Sequence, residues 1–176
     1  MTAKGNGLFR EIKSPAQVRI PLVFPGANHN FFDTDAIWDT GATNTVIDAK
    51  LVAQMQLTAT GKSIVNHAQG STRANTYIVD VLLPMGVGFQ NVIVTEGQLG
   101  GCGLLIGMDI ITTGDFALTR DGNTSWFSFR VPPSGQGVDY VDQINAQKAK
   151  QALRRQKSKF WVPPANFKKR GGKKKR

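Results

Sequence analysis

The chain has 176 residues, 40% of them apolar, which is enough for one ordinary domain with a core and an appendage. Its 22 Lys and Arg residues outnumber its 12 Asp and Glu residues, and the resulting net charge of +10 is typical of proteins that bind nucleic acid or acidic surfaces. The single cysteine, Cys102, excludes an intrachain disulfide framework and a cysteine-based zinc finger.

Neither a membrane span nor a secretory signal is visible in the sequence. No run approaches the ~18 apolar residues that a spanning helix needs, and residues 1–10 lack an apolar core of the kind that a signal peptide carries. A cytoplasmic protein without a membrane partner is therefore expected.

Short runs rich in Val, Ile, Phe and Thr predict β-strands along most of the chain. In chain order they occupy residues 16–24, 31–38, 45–47, 62–67, 72–83, 91–96, 104–106, 115–119 and 126–131. Turn sequences separate several of them: Pro25-Gly26 after the first run, Gln69-Gly70 at the tip of a long hairpin, and Asp121-Gly122 between the last two runs.

Only one short helical stretch interrupts these strands. It starts after Asp48, a good N-cap residue, and places Leu51, Val52 and Met55 on one side. Many short strands with so little helix predict an all-β domain, either a small closed barrel or a sandwich.

The basic charge is concentrated at the C-terminal end. Residues 1–138 contain nine Lys/Arg and ten Asp/Glu, a net charge of −1, whereas residues 139–176 contain thirteen Lys/Arg and two Asp, a net charge of +11. We therefore divide the chain into an N-terminal arm (1–15), a nearly neutral domain (16–138) and a basic tail (139–176).

The tail itself has two parts. Residues 139–159 lack Gly and Pro, begin with acids and end with cations, which predicts a helix lying on a surface. Residues 160–176 are expected to be disordered, because their cations leave little that can be buried. The tail could be a solvated extension, a docking or cleavable end, or a nucleic-acid binder whose Phe160, Trp161 and Phe167 stack on bases.

The candidate catalytic motif is Asp39-Thr40-Gly41-Ala42, which follows the apolar end of a predicted strand. The motif places a carboxylate at the mouth of a turn. Gly41 allows close approach of the backbone, so that its N–H can donate to the Asp39 carboxylate, and Thr40 adds a hydroxyl. Taken alone, the pattern also fits an ordinary turn aspartate that caps the next residues.

A second segment, Leu105-Ile106-Gly107, follows about 65 residues later, and the two segments together resemble the retropepsin-like aspartic proteases, the single-domain relatives of retroviral proteases. The resemblance covers residues 16–132 and implies an all-β, closed barrel-like acid protease fold of one lobe with a short helix at 109–114. It also implies that the second segment packs beside the catalytic loop. It identifies Asp39 as catalytic and residues 62–80 as the flap, with His67, Gln69 and Gly70 near its tip. Met108-Asp109 is more similar to cellular and bacterial relatives than to retroviral enzymes, which usually carry Arg there for a dimer salt bridge.

The resemblance implies an aspartic endopeptidase that works as a homodimer. The reaction needs one carboxylate to take a proton from water and one carboxylic acid to protonate the peptide carbonyl, and two nearby carboxylates that share one proton supply both. The chain has a single Asp-Thr-Gly and is too short for two lobes, so the second Asp39 is expected from a second copy. Thr40 would brace the two loops, Gly41 and Ala42 would line the cleft, and each flap would close over an extended peptide.

No metal or cofactor is expected. Asp33 and Asp35 have the spacing of calcium ligands but lack the glycine and glutamate of a calcium loop. Gly61-Lys62-Ser63 resembles the end of a phosphate-binding loop, but Gln56 stands where that motif has glycine. The alternative to an enzyme is a non-catalytic module of the same fold that binds peptides or assembles, with the basic tail on nucleic acid.

Overall fold

The computed structural model describes residues 1–6, 11–67 and 70–159. The chain divides into two compact units, Met1–Gly135 and Gln136–Arg176. The first contains every strand of the described residues, together with two short helices. The predicted disorder of residues 160–176 and the predicted flap residue Gln69 lie outside the described residues.

The first unit is mostly β, as predicted. Its strands are β1 Thr2–Asn6, β2 Ile12–Arg19, β3 Phe32–Trp38, β4 Val46–Asp48, β5 Gly61–His67, β6 Gly70–Leu83, β7 Val87–Gly97, β8 Leu104–Ile106, β9 Asp115–Asp121 and β10 Thr124–Arg130. Its helices are α1 Ala49–Met55 and α2 Met108–Ile111, and a single 3-10 turn, Pro84–Gly86, connects β6 with β7.

Seven of these strands form one sheet in the order β2-β3-β8-β4-β7-β6-β5. Two pairs within it, β3 with β8 and β4 with β7, are parallel. Strand β2 also pairs with β6, so the first strand of the order is hydrogen-bonded to the sixth. The remaining three strands form a separate sheet in the order β1-β10-β9.

The core forms because side chains of a strand alternate between its two faces. In β6 the buried positions include Tyr77, Val79, Val81 and Leu83. The three-stranded sheet adds a cluster of aromatic rings, in which Phe127 and Phe129 pack against Trp38 with ring centroids 5.1 and 4.7 Å away.

Trp38 links this core to the candidate site, because it directly precedes Asp39. It is 5% exposed, and its indole N–H donates to the Ser14 hydroxyl at 3.0 Å. The end of β3 is therefore fixed both by aromatic packing and by a buried hydrogen bond.

The first predicted strand, 16–24, is wrong in its boundaries. Strand β2 begins at Ile12 and ends at Arg19. The chain then turns at Pro21, which has no N–H for a sheet ladder and whose carbonyl accepts from the Phe24 N–H at 3.1 Å. Residues 1–15, predicted as an arm, contain β1 and the start of β2, and β1 pairs along its whole length with β10.

The second unit contains α3, Tyr140–Lys159, in the part of the tail for which a helix is predicted. Asp139 caps it, since its Oδ1 accepts from the N–H groups of Val141 and Asp142 at 2.8 and 3.1 Å. Among the described residues, no helix has the length and apolar character needed to cross a membrane.

Candidate active site

Asp39 lies where two parallel strands end together. Asp39 directly follows β3, and its N–H donates to the carbonyl of Ile106, the last residue of β8, at 3.0 Å. This bond continues the pairing of Trp38 with Ile106 by one step. The backbone of Asp39 is therefore anchored to the second predicted segment, Leu105-Ile106-Gly107.

The turn after Asp39 holds the carboxylate in one orientation. The Gly41 N–H donates to Asp39 Oδ1 at 2.8 Å, which confirms the predicted hydrogen bond, and the Ala42 N–H donates to the Asp39 carbonyl at 3.2 Å. A Cβ atom at Gly41 would lie 3.1 Å from the same carboxylate oxygen. Glycine at this position thus leaves room for the carboxylate while supplying a donor to it.

The other two residues of the loop differ in their surroundings. Thr40 is exposed and Ala42 is half-buried, while Asp39 itself is half-buried. An exposed Thr40 beside a half-buried carboxylate leaves this side of the loop open to an approaching molecule.

The second segment packs against the backbone of the loop. Gly107 is buried, and a Cβ there would lie 2.5 Å from the carbonyl carbon of Asn44, closer than real Cβ contacts come. The next two N–H groups, of Met108 and Asp109, donate to the carbonyls of Ala42 and Thr43 at 2.8 and 3.1 Å. The two sequence segments predicted to meet do so through backbone atoms that lie about 65 residues apart.

A side-chain pair that the sequence analysis missed closes the loop at its far end. Thr45 is fully buried, and it donates from its N–H to Asp109 Oδ2 at 2.9 Å and from its hydroxyl to Asp109 Oδ1 at 2.8 Å. The same hydroxyl accepts from the Gly107 N–H at 3.2 Å, and Asp109 Oδ1 also accepts from the Ile110 N–H at 2.9 Å. We call this pair, Thr45 and Asp109, the loop clasp.

One feature of the sequence could have indicated the loop clasp. Asp109 stands two residues after Gly107, at the start of a short helix where a carboxylate accepts backbone N–H groups. The family resemblance marks it only as a departure from the arginine of retroviral enzymes, and its partner Thr45 lies in a run that predicts an ordinary strand.

The predicted flap is an antiparallel hairpin of β5 and β6. The last pair in its register is His67 with Gly70, and Gly70 has a φ of +130°, a conformation that glycine adopts more readily than other residues. Strand β6 of the hairpin pairs with β7, whereas β3 pairs with β2 and β8. The flap residues and Asp39 therefore belong to different strand pairs of the sheet.

The loop before the second segment is held by Asp48. Its Oδ2 accepts from the Leu99 N–H at 2.8 Å and its Oδ1 from the Lys50 N–H at 2.9 Å, the second of which confirms the predicted N-cap of α1. These donors, Leu99 above all, lower the pKa of the Asp48 carboxyl below its usual value. Cys102 in the same loop is half-buried, and burial raises the pKa of its thiol.

Among the described residues, no three His, Cys, Asp or Glu side chains lie together in a way that could hold a metal ion. Asp33 instead accepts from the Gln17 side-chain amide at 2.7 Å, an ordinary cross-strand contact between β2 and β3.

Comparison with known proteins gives one family. A sequence profile of the family described as "gag-polyprotein putative aspartyl protease" matches residues 27–113, which include Asp39, the hairpin and Gly107. No curated protein sequence matches the chain. Among solved structures, the chain is similar to a retropepsin-like aspartic protease from Rickettsia conorii, with 15% identity over 72% of this chain and 91% of that chain, and a TM-score of 0.42. A likeness of this degree is too weak to transfer the role of any residue.

Proposed function

We propose that this chain, which belongs to the retropepsin-like aspartic protease family, is an aspartic endopeptidase. Two Asp39 carboxylates, one from each subunit of a homodimer, would activate its water nucleophile. The observation that carries the proposal is the loop of Asp39 itself. Its carboxylate is oriented by the Gly41 N–H, and its backbone is bonded to Ile106 and the residues that follow Gly107.

The chemistry requires a second carboxylate. A single ionised aspartate can take a proton from water, but it cannot also protonate the carbonyl oxygen of the peptide. Two aspartates within a few ångströms cannot both ionise, so they share one proton, and the pair titrates with two separated pKa values. One carboxylate then acts as the base and the other as the acid in the same step.

The second copy of Asp39 would come from a symmetric partner, because the sequence contains one Asp-Thr-Gly. The exposure of Thr40 and Gly41 supports this arrangement, since these residues can meet their counterparts across a two-fold axis. In the proposed dimer, Thr40 braces the two loops, and Gly41 and Ala42 line the cleft between them.

Substrate is proposed to bind as an extended strand under the flap, with His67, Gln69 and Gly70 near the closing tip. Closure would exclude water from the dyad, and the conformational freedom of Gly70 favours such a movement. Leu105, Ile106 and Gly107 contribute by supporting the loop from below and do not need to touch the peptide.

We further propose that the catalytic domain of residues 16–138 is a closed barrel, which the pairing of β2 with β6 supports. The domain is expected to need the residues that precede it. Strand β1 pairs with β10, and β2 begins at Ile12, so removal of residues 1–15 would expose two strand edges.

The experiment compares two aspartates on the same stretch of chain. Asp39→Asn keeps the size of the side chain but removes the charge, and Asp35→Asn makes the same change at an exposed position of β3. Both variants and the wild type are incubated with a diverse peptide mixture between pH 4 and pH 7, and the products are read by mass spectrometry.

We expect cleavage by the wild type and by Asp35→Asn, and a loss of at least 1,000-fold with Asp39→Asn, since the dyad supplies both acid and base catalysis (each about 10²–10⁴-fold). Cleavage that survives Asp39→Asn would contradict the proposal. An absence of cleavage by all three folded proteins would favour the non-catalytic peptide-binding module.

A further inference from the structure

Helix α3 carries the strongest charge among the described elements, and the proposed peptidase activity does not use it. From residue 140 to 156, the range in which its side chains are described, every one is exposed. The helix has a single acid, Asp142, in its first turn, and six Lys or Arg between residues 148 and 159. Because its apolar residues are few and scattered, it suits a charged partner better than an apolar protein surface.

The cations of α3 fall into two rows. With 3.6 residues per turn, residues that are four or seven positions apart lie on the same side of a helix. Lys148 and Arg155 therefore form one row, and Lys150 and Arg154 form the other, about 130° away around the axis. By their position in the helix, Lys159 and Lys157 continue the first and second rows respectively.

From residue 147 onward, the strip between the two rows is polar and carries no charge. Gln147 and Gln151 lie within it, flanked by cations on either side, and no Asp or Glu occurs anywhere from residue 143 to 159. A surface with a neutral polar centre and two positive borders matches a partner that presents two separate lines of negative charge.

Duplex DNA has this arrangement. Its major groove is about 12 Å wide, and an α-helix with its side chains is about 10–12 Å across, so a helix in the groove has a phosphate strand on each side. We propose that α3 binds in the major groove of duplex DNA, with Lys148 and Arg155 reaching one phosphate strand and Lys150 and Arg154 reaching the other.

Other polyanions fit this geometry less well. A single strand presents one line of phosphates and would engage only one row. In an RNA duplex the major groove is deep and narrow, which keeps a helix out. An anionic membrane is flat, and the exposed apolar residues of α3, such as Ile144 and Leu153, do not form the continuous face that an interfacial helix inserts into lipid.

The test uses the full chain and three double variants, each with both changes on one face. The first is Lys148→Gln with Arg155→Gln, the second is Lys150→Gln with Arg154→Gln, and the control, Asn145→Ala with Gln156→Ala, lies on the side away from the strip. Gln and Ala are good helix formers, and circular dichroism verifies that the helix is kept.

Binding is measured by fluorescence anisotropy from 50 to 200 mM salt, with a short DNA duplex, its single strand, an RNA duplex of the same sequence and phosphatidylserine vesicles. We expect the DNA duplex to bind best. The slope of log affinity against log salt concentration should be smaller in magnitude by about 1.8 in each row variant, because two phosphate contacts are lost. Between about 50 and 200 mM salt, the affinity of a row variant should therefore fall about tenfold less than that of the wild type. The control is expected to match the wild type.

Comparison between variants separates α3 from the cations of residues 160–176, since every protein tested retains those. The proposal is overturned if only one row changes the slope, if neither does, or if the single strand or the RNA duplex binds as well as duplex DNA. Binding to vesicles that either row variant weakens, without preference for the DNA duplex over its single strand, would assign α3 to a membrane surface instead.

Discussion

The loop of Asp39 and helix α3 are built on opposite principles. The loop depends on individual atoms: each end is hydrogen-bonded to a segment about 65 residues away, and a buried glycine lies beneath it. In α3 every described side chain faces solvent, and its character comes from the number and position of its charges. The difference shows that the net charge of +10 describes the second unit and is uninformative about the chemistry at Asp39.

We therefore expect substitutions around the loop to alter stability strongly and substitutions on α3 to leave it nearly unchanged. Changing the glycine beneath the loop should have the largest effect. In Gly107→Ala the new methyl group would lie 2.5 Å from the backbone of Asn44, which cannot move without disturbing the loop. We expect the free energy of unfolding to fall by about 3 kcal/mol, measured by urea denaturation.

Gly101→Ala is the matched control for that change. Gly101 precedes the same segment, but a Cβ there would meet nothing within 4 Å. It should change the free energy of unfolding by no more than about 0.5 kcal/mol. Equal effects at the two glycines would contradict the packing of Gly107 under the loop.

Breaking the loop clasp should have the next largest effect. Thr45→Val keeps the shape of the side chain but leaves the Gly107 N–H without its acceptor and removes a donor to Asp109. The expected cost is about 2 kcal/mol of unfolding free energy. Thr119→Val, at an exposed position of β9, is the control and should be nearly neutral.

A double-mutant cycle tests whether Thr45 and Asp109 act together. If they do, Thr45→Val combined with Asp109→Ala should destabilise by about 1 kcal/mol less than the sum of the single changes. Simple additivity would mean that the two side chains act independently and that the clasp is not a unit.

Replacing Asp48 should have a smaller effect on the free energy of unfolding, and that effect should depend on pH. Its pKa is lower in the folded protein than in the unfolded chain, so its contribution to stability is fully present above the unfolded value of about 3.9 and disappears as the pH falls through the folded value. Asp48→Asn should therefore cost about 1 kcal/mol at pH 7, and its difference from the wild type should shrink below pH 4.

Thermal or urea unfolding at a series of pH values measures this difference. Asp121→Asn, at the exposed hairpin between β9 and β10, provides the comparison, because it makes the same substitution away from the loop at Leu99. A cost that stays constant from pH 7 to pH 3 would mean that the charge of Asp48 does not stabilise the loop at Leu99.

The smallest effect on stability is expected from α3. Either row variant, such as Lys148→Gln with Arg155→Gln, replaces exposed side chains and should change the free energy of unfolding of the first unit by less than about 0.5 kcal/mol. Urea denaturation followed by tryptophan fluorescence measures it, since Trp38 and Trp126 both lie in that unit. A larger loss would show that α3 contributes to the stability of the first unit.

Local sequence patterns predicted the parts of this fold that depend on local physics. The hairpin at Asp121-Gly122 and the capped start of α1 at Asp48 each follow from residues within a few positions of one another. The contact between the two loop segments was expected from a resemblance to a family and could not have been derived from either segment alone.

The features that sequence reasoning missed depend on distant partners. Residues 12–15 contain Lys13, Ser14 and Pro15, which do not look like a strand, yet Ser14 is buried because it accepts a hydrogen bond from Trp38. In the same way Thr45 and Asp109 gain their roles from each other across 64 positions. A polar side chain with a long-range partner leaves no periodic pattern in the chain.

The central claim is that one active site needs two copies of Asp39, and a mixing experiment tests it most directly. Wild-type chains and Asp39→Asn chains are unfolded together, refolded at a constant total concentration, and assayed for peptide cleavage as the wild-type fraction is varied. We expect activity to follow the square of this fraction, so that an equal mixture retains about a quarter of the wild-type activity. A linear decline, with half of the activity left in the equal mixture, would show that each chain acts alone and would contradict the account.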